Sequence, residues 1–154
     1  MINSFLHLKT KNTNSQSPEL IDIQKANKVL FSLFTRYGDT VIDLVVIKEF
    51  VEQYPDKEYL ILCPRQMQPY VRELLPNIEC IALNKRNLFD MFKINRQLKR
   101  WQSDIGFNPW SNGLDSCYFL TYCKYYQCYK DFDRPDVINH YQVVRRYLHL
   151  PEKE

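Results

Sequence analysis

The residues best suited by type and spacing to chemistry sit together in Thr35-Arg36-Tyr37-Gly38-Asp39-Thr40, directly after a compact apolar run from Lys28 to Phe34. In parallel α/β domains ligands approach the carboxyl ends of strands, so a carboxylate in this position lies where sites occur. Asp39 can take a proton from an attacking hydroxyl that comes within hydrogen-bond reach. Gly38 lets the backbone turn tightly or pass close to a ligand. Asp39 also suits a helix N-cap, accepting the orphan N–H groups of the first turn. There the helix dipole stabilises the anion and makes it a weaker base. The two roles are compatible. Asp43 lies one helical turn further on and is expected on a solvated face.

A second group of candidates is the loop Asn108-Pro109-Trp110-Ser111-Asn112-Gly113. Trp110, flanked by Asn108 and Asn112, can stack on a sugar ring or plug the edge of a sheet. Other chemistries find less support. With glycine only at 38, 106 and 113, neither a dinucleotide fingerprint nor a phosphate-binding loop can be assembled. His7, His140 and His149 are too dispersed for a metal site, and His140 and His149 are expected on the polar side of a last helix. The five cysteines, 63, 80, 117, 123 and 128, form no CxxC pair and read as buried thiols. No cofactor and no metal are expected. A net charge of +3 is too mild for a nucleic-acid partner. No run approaches the roughly 18 apolar residues of a spanning helix, and the amino-terminal stretch lacks the apolar core of a signal peptide. A cytoplasmic protein is therefore expected.

The elements that must position these residues follow from periodicity. Lys28–Phe34 reads as a buried strand, and residues 40–53 as a helix with Val41, Leu44, Val45, Lys48 and Val51 at helical spacing. Glu58–Cys63 is a second strand, and Pro64 opens a helix towards Leu75. Ile78–Leu83 is a third strand, Leu88–Trp101 a helix, and Ser103–Phe107 a fourth strand. A helix over Leu114–Lys130 and a last helix over Val137–Leu150 complete the pattern. Alternating strands and helices predict a Rossmann-like, three-layer α/β domain with a mainly parallel sheet. Residues 1–24 are a polar extension, 25–151 the domain and 152–154 a tail.

Two surfaces stand out. Lys85, Arg86, Lys93, Arg96, Lys99 and Arg100 form a basic helical surface, which reads as a solvated face or as one that meets anionic lipid. Tyr118, Tyr122, Tyr125, Tyr126 and Tyr129 fall at one-turn spacings. They suit internal packing or a self-association face across Tyr118–Tyr129.

The stretch from Lys28 to about Phe107 resembles the N-terminal domain of glycosyltransferase family 9, which includes the lipopolysaccharide heptosyltransferases. The resemblance rests on NKVLFSLFTRYGD from Asn27 to Asp39, YPDKEYLILCP from Tyr54 to Pro64, LPNIECI from Leu75 to Ile81, and LKRWQSDIG from Leu98 to Gly106. HYQVVRRYL, from His140 to Leu148, resembles the segment before the family's inter-domain linker. The resemblance implies the acceptor-side half of a metal-independent, inverting GT-B transferase. Carried over, the role of general base falls on Asp39; the loop Asn108–Gly113 departs from the family's form, and Arg36, Gly38, Asn108, Trp110 and Asn112 are the substrate-binding candidates of this sequence's own reading. The resemblance further implies a lipid-linked or saccharide acceptor, work on cell-surface polysaccharide or lipopolysaccharide, and a position at the inner face of the membrane. The donor half would come from a separate nucleotide-sugar-binding domain or subunit, since none follows in this sequence and the chain alone would be inactive. The alternative is a non-catalytic binding or partner module that keeps the fold.

Overall fold

The computed structural model describes residues 19–84, 87–133 and 139–152. The expectations for residues 1–18, for Lys85-Arg86, for the start of the last helix at Val137 and for residues 153–154 lie outside them. A short helix, α1 (Leu20–Lys25), leads into β1 (Lys28–Ser32), α2 (Tyr37–Gln53) and β2 (Glu58–Pro64). A 3-10 turn (Arg65–Met67) then enters α3 (Gln68–Leu74), followed by β3 (Glu79–Leu83), α4 (Leu88–Trp101) and β4 (Ile105–Phe107). The chain closes with α5 (Leu114–Leu120), β5 (Tyr125–Gln127), a second 3-10 turn (Tyr129–Asp131) and α6 (His140–Tyr147).

The strands form one parallel sheet in the order β3-β2-β1-β4-β5. Side chains alternate across a strand, and that alternation sorts the core into two halves. Val29, Phe31 and Leu33 face one cluster with Leu44, Ile47 and Phe50 of α2, Val71 of α3 and Val144 of α6. Leu30, Leu60 and Leu62 face the other, with Met91, Ile94 and Leu98 of α4 and Phe119 and Leu120 of α5. Because both faces are covered, the strands are apolar without alternation. Phe31 anchors the first cluster, edge-on to Phe50 at 5.7 Å and stacked on Phe107 at 5.9 Å between ring centroids. Such aromatic pairs add to the area they bury.

The expected α/β class and parallel sheet are present. Three local expectations are corrected. The stretch predicted as one helix over Leu114–Lys130 stops at Leu120, and Tyr125–Gln127 becomes the edge strand β5 instead. Aromatic residues favour strands, and β4 has its second side free to pair. Gly106 makes room for the return, since a Cβ there would lie 2.5 Å from Cys123 Sγ. The tyrosine run therefore offers no continuous face for self-association: Tyr118, Tyr126 and Tyr129 are buried. The cysteines are not all thiols, because Cys117 and Cys128 form a disulfide, while Cys63, Cys80 and Cys123 are free. The packed structure also begins before residue 25, with Ile23 of α1 inside the first cluster.

At the amino edge of the sheet, Asp104 Oδ2 accepts the backbone N–H groups of both Asn27 and Lys28 at 2.9 Å. This ties the start of β1 to the entry of β4. Hydrogen bonds to a charged group each contribute more than neutral ones. Asp104→Ala is expected to lower stability by about 2 kcal/mol, read from the shift of the urea midpoint. An unchanged midpoint would show that water replaces both bonds without loss.

Candidate functional site

The strand order reverses between β1 and β4. β2 and β3 extend from one side of β1, β4 and β5 from the other. In open α/β sheets the crevice at the carboxyl ends of such a pair is where ligands bind. Here that position lies between the β1–α2 connection and first turn of α2, which carry Arg36, Gly38 and Asp39, and the loop after β4, which carries Asn108, Trp110 and Asn112.

His140, the first residue of α6, joins the two sides. Its Nε2 lies 2.9 Å from Asp43 Oδ1 and its Nδ1 lies 3.5 Å from Asp39 Oδ1. The indole of Trp110 stacks on the imidazole at 3.6 Å with 12° between the planes. The helix of α6 starts here because the Asn139 side chain caps it, accepting the Gln142 N–H at 3.0 Å. Further along, buried Arg145 pairs with Glu49 of α2, and the Tyr141 hydroxyl donates to the same carboxylate. These contacts fix α6 along α2 and hold His140 over the first two turns of α2.

The two carboxylates differ in setting. Asp39 stands in the first turn of α2, one-third exposed. It is not the cap residue, because the chain enters the helix two residues earlier, at Tyr37, and Arg36 takes the N-cap position. The turn is held by Thr40, whose hydroxyl donates to the Arg36 carbonyl. The capping role is therefore removed, and the carboxylate faces His140. Asp43 is not on a solvated face: α6 covers it completely, and its Oδ2 has no hydrogen-bond partner among the described residues. Burial pushes its carboxyl up to about 7, against the opposing pull of the hydrogen bond and charge of His140. The Asp43–His140 bond therefore joins a buried carboxyl displaced towards its neutral form to an imidazole nitrogen.

The other candidates divide. Gly38 adopts ordinary helical backbone, and a Cβ there would meet nothing within 4 Å. Neither its backbone nor its surroundings require a glycine, and it lies exposed on the first turn of α2. Arg36 and Asn112 are exposed at the two rims. Asn108 is fully buried and supports the loop from within. Its Oδ1 accepts the Tyr129 N–H at 2.7 Å, its Nδ2 donates to the Ser116 hydroxyl at 3.0 Å, and its backbone N–H donates to the Tyr147 hydroxyl at 2.9 Å. Held from below, Trp110 adopts the left-handed conformation with φ 56°. That region disfavours a bulky residue, and such strain is sustained only where surrounding contacts impose it. His140 and Asp43 are the members that sequence reasoning missed. A buried Asp43 has no sequence signature, and His140 is 97 residues away. Among the described residues no group of three or more His, Cys, Asp or Glu side chains is placed to hold a metal ion.

The Asp43 carboxyl sets a pH dependence of stability. Its folded value, about 7, exceeds its ordinary value of 3.8, so between them the folded state holds a proton that the unfolded chain has released. The stabilisation is complete below pH about 4 and is lost as pH rises through about 7. Asp43→Asn keeps an acceptor for His140 and removes the titration. It is expected to flatten the fall in unfolding free energy between pH 5 and 8, measured by urea denaturation across that range. Parallel pH profiles for the two proteins would exclude this role.

Comparison with known proteins now bears on the fold. No protein-family model matches the chain, and no curated protein does. Among solved structures, the glycosyl transferase family 9 from Veillonella parvula DSM 2008 superposes with a TM-score of 0.56 at 14% identity, over 89% of this chain and 42% of that one. A UDP-GlcNAc 2-epimerase from Neisseria meningitidis bound to UDP-GlcNAc overlaps more loosely, with a TM-score of 0.37 and 14% identity over 69% of this chain and 26% of that one, and carries no argument. The chain spans less than half of the transferase structure, and at this identity the likeness is one of fold. The fold is that of a GT-B-like, Rossmann-type half-domain.

Proposed function

We propose that the chain is the acceptor-side half of a glycosyltransferase, with Asp39 as general base. The observation that carries this reading is the position of Asp39: a partly exposed carboxylate at the carboxyl edge of the sheet, beside the point where strand order reverses. The likeness of fold to a family 9 glycosyl transferase supports the assignment to that reaction class. In the reaction an acceptor hydroxyl attacks the anomeric carbon of a nucleotide-sugar. The new C–O bond forms as the bond to the diphosphate oxygen breaks, and Asp39 takes the hydroxyl proton.

His140 bears on the base in two ways. It fixes the Asp39 side chain from one side and leaves the other open to a ligand. Its Nδ1 also offers the accepted proton a second stop, with Nε2 already held by Asp43. The donor-binding half, on the same or another chain, would supply the groups that stabilise the leaving diphosphate. Work on a cell-surface polysaccharide or lipopolysaccharide acceptor belongs to the same reading. The competing reading is a non-catalytic module in which Trp110 and His140 only cover the end of the sheet; the closed 3.6 Å stack favours it.

Calorimetry of the chain with UDP-GlcNAc as a probe donor is expected to give no binding heat, and micromolar binding would overturn the acceptor-side assignment. With a donor domain present and transfer restored, Asp39→Asn is expected to cut turnover by about 100-fold or more, the usual range for a general base. Turnover equal to the parent would refute the role of Asp39 as base.

A further inference from the structure

The outer face of α4 combines exposed aromatic and basic side chains. Met91, Ile94 and Leu98 turn inward and are buried in the second core cluster. On the opposite side, Phe89 is 85% and Phe92 69% exposed, with Leu88 beside them at 52%. At about 100° per residue, Phe89, Phe92, Lys93, Arg96, Lys99 and Arg100 share an arc of about 120°. The aromatics lie nearer the start of the helix and the cations follow them, from Lys93 to Arg100. None of the four cations makes an ion pair or hydrogen bond among the described residues. Asp90, the one acidic residue of the helix, lies off this arc and pairs with Arg65 at 3.2 Å. The face is thus convex, apolar at one end and unneutralised at the other.

We propose that this face of α4 docks the protein on an anionic lipid bilayer, with Phe89 and Phe92 entering the acyl boundary and Lys93, Arg96, Lys99 and Arg100 lying among the phosphates. Charge complementarity selects the occupant. A protein partner of ordinary surface would leave four cations to be desolvated without counter-charge, whereas an anionic headgroup layer meets all of them at once. Interfacial helices combine aromatic and basic residues in this way. Among the described residues no helix is long and apolar enough to cross a membrane, so attachment would be peripheral. In a parallel sheet each helix starts at the carboxyl edge, so the Phe89–Phe92 end of α4 points to the edge that carries Asp39 and Trp110. The docking does not rest on the transferase reading, because it is measured without donor or acceptor.

The test is co-sedimentation of the full chain with vesicles of phosphatidylglycerol and phosphatidylcholine, against phosphatidylcholine alone. Binding is expected to the anionic vesicles only and to weaken with salt. Each Lys or Arg near an anionic surface strengthens partitioning about fivefold, so Arg96→Glu with Arg100→Glu should lower it by about 25-fold or more. Phe89→Ser with Phe92→Ser should lower it by about tenfold or more through lost apolar burial. All four positions are exposed, and circular dichroism checks that each variant stays folded. Absence of binding to anionic vesicles at low salt would overturn the proposal, as would full binding by the double Phe variant. A dimer in light scattering that the Phe variant abolishes, with no vesicle binding, would assign the face to a second copy of the chain instead.

Discussion

The hydrogen bond between Asp43 and His140 is the contact on which the carboxyl edge of this molecule depends. It is made between the second turn of α2 and the first residue of α6, and it pairs one buried carboxylate oxygen while the other, also buried, has no hydrogen-bond partner among the described residues. Burying a carboxylate is costly unless it is paired or neutralised, and here both remedies act: an imidazole partner and a carboxyl shifted towards the neutral form. Such a pair persists only if α6 is held in register by other means. Those means are the Glu49–Arg145 ion pair, the Tyr141 hydroxyl bond to Glu49 and the packing of Val143, Val144 and Tyr147 into the first core cluster. Once α6 is fixed, His140 reaches both Asp39 and Trp110, and the two sides of the switch-point crevice become one site.

Much of the scaffold was legible in the sequence for a simple reason. The apolar run of β1 and β2 is continuous because both faces of the sheet are covered, and the prolines and polar turns mark the ends of those elements. The placement of Gly38 and Asp39 at the start of the helix after β1 was legible as well. The end of the domain was harder to read. The segment from Leu114 to Lys130 has one-turn spacings that suit a helix, yet its second half pairs with β4. The deciding contact is non-local: Gly106, on a strand laid down earlier, accepts Cys123 at a distance that no side chain would permit.

Asp43 illustrates the same limit within the site. On α2 the exposed positions include Tyr37, Val41 and Val45, while the buried ones include Thr40 and Asp43. The helix is apolar on both sides, so its sequence does not indicate which face is inward, and a lone carboxylate one turn after another reads as solvated. Only the docking of α6 reverses that assignment. His140 was hidden for the complementary reason, because a histidine at a helix start gives no sign of what stands across from it. Asn108 was singled out for its loop position, and the position is right, but its side chain is spent on Tyr129 and Ser116 below the loop. Its contribution is to hold Trp110 in a conformation that a tryptophan does not adopt unaided.

The two halves of the core give the two ends of this argument a common geometry. Helices α2 and α6 pack on one face of the sheet and build the carboxylate–imidazole group; α4 and α5 pack on the other. The reversal of strand order that creates the crevice is also what sends α4 to the far face, because a right-handed crossover from β3 back to β4 must pass on the side opposite to α2 and α3. A site at the switch point and an amphipathic helix on the opposite layer are therefore products of one topological step. They share an edge of the sheet without sharing a surface. A bilayer against α4 leaves the crevice uncovered, and a partner domain seated over the crevice leaves α4 free. Under the two proposals, docking at α4 and a partner domain at the switch point would therefore not compete for one surface.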